Sequence, residues 1–385
     1  MTEPTATASI DARLLLRHGW AVVALPLISI GLALLVGAGI ILVSQLVIPK
    51  HEFDPWLPIT AYVALFEGAF GSENAIVNTL VASTPLVLAG LSVGLAFKAG
   101  LFNIGAQGQF LIGALGAVAV AVNVSSQPPL VAIPLALGGG LLAGAAWGFI
   151  PGALKALSGA HEVVTTIMLN YIAVAVVAAV VSGPLDQPGS PSPITAEVRN
   201  AALPVIPGTD AHAGILIAIA AVFIVAALLD RTTLGFEIRT VGANPDAARY
   251  AGMHPRRLTM LTMSLAGLLA GAAGASEVLG VTRMMTASYS TTVGFDAIAV
   301  ALLANTNPYA IVPSALLFGA MRAGAGLMQI DAGVPPELID VLQATILLFL
   351  VMGPVLKRVF RLRGARSGIE AADAITRSYA GDVTR

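Results

Sequence analysis

Cysteine is absent from the 385 residues. That excludes a disulfide framework, a thiolate nucleophile and any cysteine-based metal or iron–sulfur site. Charge is scarce too: Asp, Glu, Lys and Arg make up 11% of the chain, against about 25% in ordinary soluble domains. Apolar residues take their place, at 57%, with a mean hydropathy of +0.87. A soluble fold does not fit this balance, whereas an integral membrane protein does. Forty glycines and 23 prolines are compatible with spanning helices, because neighbouring helices re-satisfy the backbone groups they free. The apolar runs are long and lack strict alternation, which disfavours a barrel. The expected fold is therefore an all-α integral membrane bundle.

Several motifs are missing as well. The chain has no G-x-x-x-x-G-K-[ST] phosphate loop, no G-x-S-x-G elbow, no H-E-x-x-H and no dinucleotide fingerprint. No span brings a base and a nucleophile together, so an enzyme is not expected, and no cofactor is expected in this chain. His161 has no second His or Cys at metal spacing. Any ATP hydrolysis that powers this protein must come from another subunit.

What is present is a series of apolar runs. They cover about 20–48, 76–97, 106–122, 129–150, 163–182, 212–229, 258–279, 292–304, 310–328 and 338–356, against a need for roughly 20 residues per span. About ten spans are expected, with 292–304 too short to cross unaided. The run from Trp20 to Ile48 is too long for a signal-peptide core and reads as a retained first span. Residues 49–74 read as an interfacial loop with an amphipathic segment. If the N-terminus is inside, sixteen of the 20 Lys and Arg residues fall on the cytoplasmic side, as the positive-inside rule requires. This gives a cytoplasmic N-terminal segment 1–19, a transmembrane domain 20–356 and a cytoplasmic tail 357–385. A proline-rich external loop at 183–211 reads as rigid and extended. Leu88–Ala96 and Leu265–Ala273 echo each other five spans apart, the parity of two inverted halves in transporters.

Between the sixth and seventh spans lies a charged cytoplasmic loop, 231–257. There Asn244 suits a helix N-cap, Pro245 the first helical position and Asp246 the positive end of the helix dipole. Gly252 and Pro255 stop the helix. A short helix held at a membrane surface needs a protein partner to have a purpose.

Polar groups inside spans are costly, so each suggests a site. The densest group is Phe97-Lys98-Ala-Gly100-Leu-Phe102-Asn103-Ile-Gly105-Ala-Gln107-Gly108-Gln109. Its amides and rings suit hydrogen bonding and stacking on a neutral polar solute, or else glue helices at a tight turn. A second group places Glu162, Thr165, Thr166 and Asn170 near one helical face. A third holds Glu277, Arg283, Tyr289, Phe295, Asp296 and Arg322, where Asp296 is expected to pair with Arg283 or Arg322, or to sense a proton. The candidate solute path is Phe97, Phe102, Asn103, Gln107, Gln109, Asn170, Phe295 and Asp296. If an ion gradient drives transport instead, Asp296 or Glu277 is the titrating group.

The run Gly94-Leu-Ala-Phe97-Lys98-Ala-Gly100-Leu-Phe-Asn103-Ile-Gly105-Ala-Gln107-Gly108-Gln109 resembles a signature of ABC-importer permeases of the nucleoside and simple-sugar type, within the branched-chain amino acid and ribose permease-like group. His161–Asn170, Gly294–Leu303 and Asn307-Pro308 resemble the same family, in order, across about 75–360. Gln107 stands where that family usually has Glu, and Ala304-Asn-Thr-Asn307 where a glycine-containing version is usual. The resemblance implies a multi-pass permease in the cell membrane that moves a small polar solute inward by alternating access. Nucleosides are the leading class, with a sugar-specific permease as the alternative. It also implies three partners: an ABC ATPase that binds ATP and Mg, a second related permease, and an extracytoplasmic substrate-binding lipoprotein. Apart from these and membrane lipid, no partner is implied, and nucleic acid is not expected. The positions resembling the family's coupling helix are Gly242, Asn244, Ala247, Ala248, Tyr250 and Gly252, with Arg239 and Arg249 as charged contacts.

Overall fold

A computed structural model describes the backbone of residues 12–47, 53–353 and 355–356, with side chains at 26–46 and from 53 onward. The side chains of Arg13 and Arg17 and the tail 357–385, all assigned to the cytoplasm by charge, lie outside the described residues. Among the described residues there are thirteen α-helices and no sheet. Eight of the helices are long and apolar enough to cross a membrane. They are α1 (Ala12–Val47), α3 (Glu73–Lys98), α4 (Ala106–Asn123), α5 (Pro129–Ser158), α6 (Glu162–Val181), α7 (Gly214–Arg231), α10 (Pro255–Glu277) and α12 (Pro308–Ala332). The two remaining expected runs form shorter helices, α11 (Val293–Leu303) and α13 (Glu337–Val351). In the segment read as a loop with an amphipathic stretch, α2 (Leu57–Phe70) is a helix of 14 residues. Its exposed stripe, Ile59, Val63, Phe66 and Phe70, recurs at helical spacing.

Helix α3 lies at the centre, with an unbroken buried stretch from Ser83 to Phe97. A helix apolar on every side belongs in the middle of a bundle rather than at its rim. Helix α10 packs on it and is itself clamped between α4 and α5 through small residues. A Cβ added to Gly144 would lie 2.3 Å from the Gly267 carbonyl oxygen, and one on Gly113 would lie 2.3 Å from Gly271 Cα. Lipid tails are as apolar as leucine, so helices in a bilayer gain by close backbone packing, which small residues permit. Much of the glycine content is placed at these contacts.

The helical order on either side of the centre is similar. Helix α3 is followed by a non-helical stretch, 99–105, and the short α4. Helix α10 continues through one π-helical turn, Val278–Thr282, then a non-helical stretch, and then the shorter α11. The 183–211 loop, read as rigid and extended, is held by hydrogen bonds as well as by its prolines. Its backbone is tied to the second stretch: Thr195 N–H donates to Met285 O (3.0 Å), Val198 N–H to Arg283 O (2.9 Å), Leu203 N–H to Leu279 O (2.9 Å), and Ala287 N–H to Pro193 O (3.2 Å). The prolines stiffen a strap that roofs the second break.

Candidate functional site

The first break is built from amides. The start of α4 leaves N–H groups with no partner in the helix itself, and a side chain from α6 supplies one. Asn170 Oδ1 accepts from Gly108 N–H (2.8 Å), and its Nδ2 donates to Ile104 O (3.1 Å). Asn103 and Gln109 bond reciprocally, Nδ2 to Oε1 at 2.9 Å and Nε2 to Oδ1 at 3.2 Å. Gln107 reaches the start of α11, where its Oε1 accepts from Gly294 N–H (2.9 Å) and its Nε2 donates to Thr291 O (2.6 Å). Phe97 and Phe102 stack on each other with centroids 5.1 Å apart. The structure therefore brings these six path candidates together, with their polar groups bonded to one another or to backbone. Asn170 caps one helix start and Gln107 the other. Two glycines are required for this contact, since a Cβ on Gly294 would fall 2.3 Å from Gln107 Cα, and one on Gly108 would fall 2.9 Å from Asn170 Oδ1.

The second break carries charge. Asp296, in the first turn of α11, pairs with Arg322 of α12, and Arg322 Nη2 also donates to Thr292 Oγ1. Thr292 in turn donates to Asp296 Oδ2 (3.0 Å). Of the two arginines considered as partners, Arg322 is the one in place. Arg322 also acts electrostatically on Glu277, and Tyr289 feels both. Phe295, by contrast, is 45% exposed and takes no part in these bonds. Glu162 pairs with Lys155 of α5 at 2.6 Å, joining α5 to α6.

Above this break sits His212, just before α7. Its Nδ1 accepts from Gly214 N–H (3.1 Å), which leaves the proton on Nε2, and that atom is buried without a partner. The ring packs on the π-helical turn, where a Cβ on Gly280 would come within 2.6 Å of it. Burial holds the His212 pKa below its ordinary value of 6.5.

In the loop 231–257, Asn244 Oδ1 accepts from Asp246 N–H and Ala247 N–H, both at 3.0 Å, and caps α9 (Pro245–Tyr250). Gly252 ends this helix with φ of 83°, and Met253 N–H bonds back to Ala248 O (3.0 Å). A second helix precedes it, α8 (Thr233–Ala243), with Thr232 Oγ1 accepting from Gly235 N–H (3.0 Å). The sequence reading missed α8, although Leu234, Ile238 and Val241 recur at helical spacing behind an N-cap threonine. Ala248 is fully buried against Val241 and Leu258, so it holds α9 in place. Tyr250 is 94% exposed, and Asp246 and Arg249 form an outward i,i+3 pair. Arg239 pairs with Asp230 at 3.7 Å. Gly242 meets the α3–α4 connection directly, because a Cβ there would lie 2.2 Å from Lys98 O and 2.9 Å from Gly100 N.

Among the described residues no group of three or more His, Cys, Asp or Glu could hold a metal ion. The family model described as branched-chain amino acid transport system / permease component matches residues 75–351. A guanosine ABC transporter permease protein of Bacillus subtilis is 41% identical over 84% of this chain and 91% of its own length. A nucleoside ABC transporter permease protein of Lactococcus lactis is 38% identical over 86% of this chain and 91% of its own. A glucose ABC transporter permease protein of Haloferax volcanii is 36% identical over 78% and 82%. No solved structure matches the chain. With ordered helix breaks, apolar spans and these relatives in agreement, the chain belongs to the branched-chain amino acid transport permease family, as a multi-pass permease of an ABC transporter in the cell membrane.

Proposed function

We propose that the chain imports nucleosides by alternating access, driven by a separate ATPase that docks on α9 from the cytoplasm. The sidedness of the loops, the second permease, the substrate-delivering lipoprotein, and ATP and Mg held by the partner all belong to this reading. The observation that carries it is the contact of Gly242 with Lys98–Gly100. A push on the exposed face of α9, at Tyr250, Arg249 and Asp246, passes through α8 to the turn that begins the first break. Asn103 to Gln109 and Asn170 then act as the pivot beside the path, while Phe295 and Asp296 face the solute from the other break. The energy for the motion comes from the partner, since an equilibrium shifts only by differential affinity for its two states. Nucleosides are favoured because two of the relatives carry that class in their names over nearly the whole chain.

The test is uptake of labelled nucleoside by the assembled complex in proteoliposomes. Gly242→Ala pushes a methyl into the Lys98 carbonyl and should leave the ATPase subunit bound while uptake falls about tenfold or more, a misplacement effect. Tyr250→Glu should instead reduce recovery of the ATPase with the permease. Uptake that persists without ATP, or that collapses with an ion gradient while ATP is held constant, would sink the reading.

A further inference from the structure

Among the described residues, one acidic side chain in the helical interior, Glu277, has no hydrogen-bond partner. Glu277 ends α10 at the π-helical turn, between the buried Ser276 and Val278. Its carboxylate accepts no hydrogen bond among the described residues, and neither does the hydroxyl of Tyr289. Both are partly buried, and neither is sealed off as the unpaired Thr282 Oγ1 is. Irregular backbone at membrane depth is tolerated where it is packed in protein or lines a wet cavity, and π-turns gather at functional sites. The non-helical 283–292 stretch, on which Tyr289 sits, directly follows such a π-turn. The Arg322 guanidinium does not satisfy Glu277, because it bonds to Asp296 and Thr292 instead. An intramembrane carboxylate left over after such pairing marks a path or a binding group.

We infer that Glu277, flanked by Tyr289 and held beside the Asp296–Arg322–Thr292 brace, is a solute-recognition residue that accepts two adjacent hydrogen-bond donors of a neutral polar solute. The inference rests on the transport reading above. A carboxylate is an acceptor with two oxygens, matched to paired N–H or O–H groups. A nucleoside presents such pairs on a guanine edge and on the vicinal ribose hydroxyls. The charge of Arg322 in the same field repels a free cation but not a neutral donor pair, so the geometry selects a solute over a coupling ion. The Tyr289 ring offers a face for stacking on a planar base. Arg322 and Thr292 position the brace and do not touch the solute.

The experiment is ATP-driven uptake by the complete complex in proteoliposomes, with the ATPase subunit required to co-purify in every variant. The probes are labelled guanosine, inosine, which lacks the 2-amino group, and 2′,3′-dideoxyguanosine, which lacks the ribose diol. Glu277→Gln should lower guanosine uptake at limiting solute by about tenfold or more, the size expected for a charge-assisted bond to solute. Glu277→Asp keeps the charge but withdraws it by one methylene, and should raise KM with a smaller loss. Where the wild type prefers guanosine over inosine, the base edge is the donor pair; where it prefers guanosine over the dideoxy analogue, the ribose is. In either case Glu277→Gln should erase that preference. The inference is overturned if uptake and analogue preference in both variants stay within about twofold of wild type, or if both lose uptake with the preference intact. Wild-type uptake that needs no ATP would instead count against the transport reading.

Discussion

The two helix breaks are alike in construction and unlike in charge. In each, a short helix starts at a non-helical stretch, and an amide from elsewhere caps its exposed N–H groups: Asn170 for α4, Gln107 for α11. Past Lys98, residues 99–109 of the first break are all uncharged, and its four amides satisfy one another and the backbone. The second contains Asp296, Arg322 and Glu277, with an acid left over after pairing. A fully satisfied polar network favours one arrangement, whereas an unsatisfied carboxylate invites a ligand. Under the proposed function, the first break does the hinge work and the second meets the solute.

Three substitutions or conditions would break or sharpen that contrast. The largest effect is expected from Arg322→Met, which leaves Asp296 without its counter-charge and should cost about 3–5 kcal/mol. The readout is the thermal melting of the detergent-purified permease, and adding Asp296→Asn should recover much of the loss. Asn170→Ala should be milder, about 2 kcal/mol, because it orphans the buried Gly108 N–H and Ile104 C=O without exposing a charge. If Asn170→Ala proved as damaging as Arg322→Met, the neutral break would be carrying more than a cap. The smallest effect concerns pH. His212 is held neutral, with a folded pKa below 6.5, so the unfolded chain binds its proton first as pH falls. Stability from this group is full above about pH 6.5 and declines as pH drops toward the folded value. His212→Leu should flatten that part of the melting-temperature profile. A profile unchanged by the substitution would mean the ring is not buried in solution.

Much of this was legible in the sequence. Asn244, Pro245 and Gly252 specify α9 because capping is local chemistry between residues two to five apart. The apolar runs gave the spans for the same reason, and 292–304 was correctly too short. The partners of Gln107 were not legible. Thr291 and Gly294 lie 184 and 187 residues away, and nothing in the spacing of a single sequence ties Gln107 to them. The amides suited either solute hydrogen bonding or helix glue, and the choice depended on tertiary neighbours: here their side chains bond to one another and to the backbone. Glu277 stood out only as one charge among several, because its meaning depends on which neighbour Arg322 chose. In helix α8, Gly235 and Gly242 serve close packing against Leu228–Leu229 and Lys98–Gly100, contacts that local spacing does not reveal.

The strap over the second break holds on by four main-chain bonds, and only Thr195 adds a side-chain oxygen, accepting from Met285 N–H at 3.0 Å. The main-chain bonds are blind to residue identity, while Thr195, Val198, Ala201 and Leu203 are buried on the underside. The upper surface of the strap is therefore free to drift in sequence while its underside keeps the same seam. A permease built this way can renegotiate what settles on its roof without retuning the machinery below.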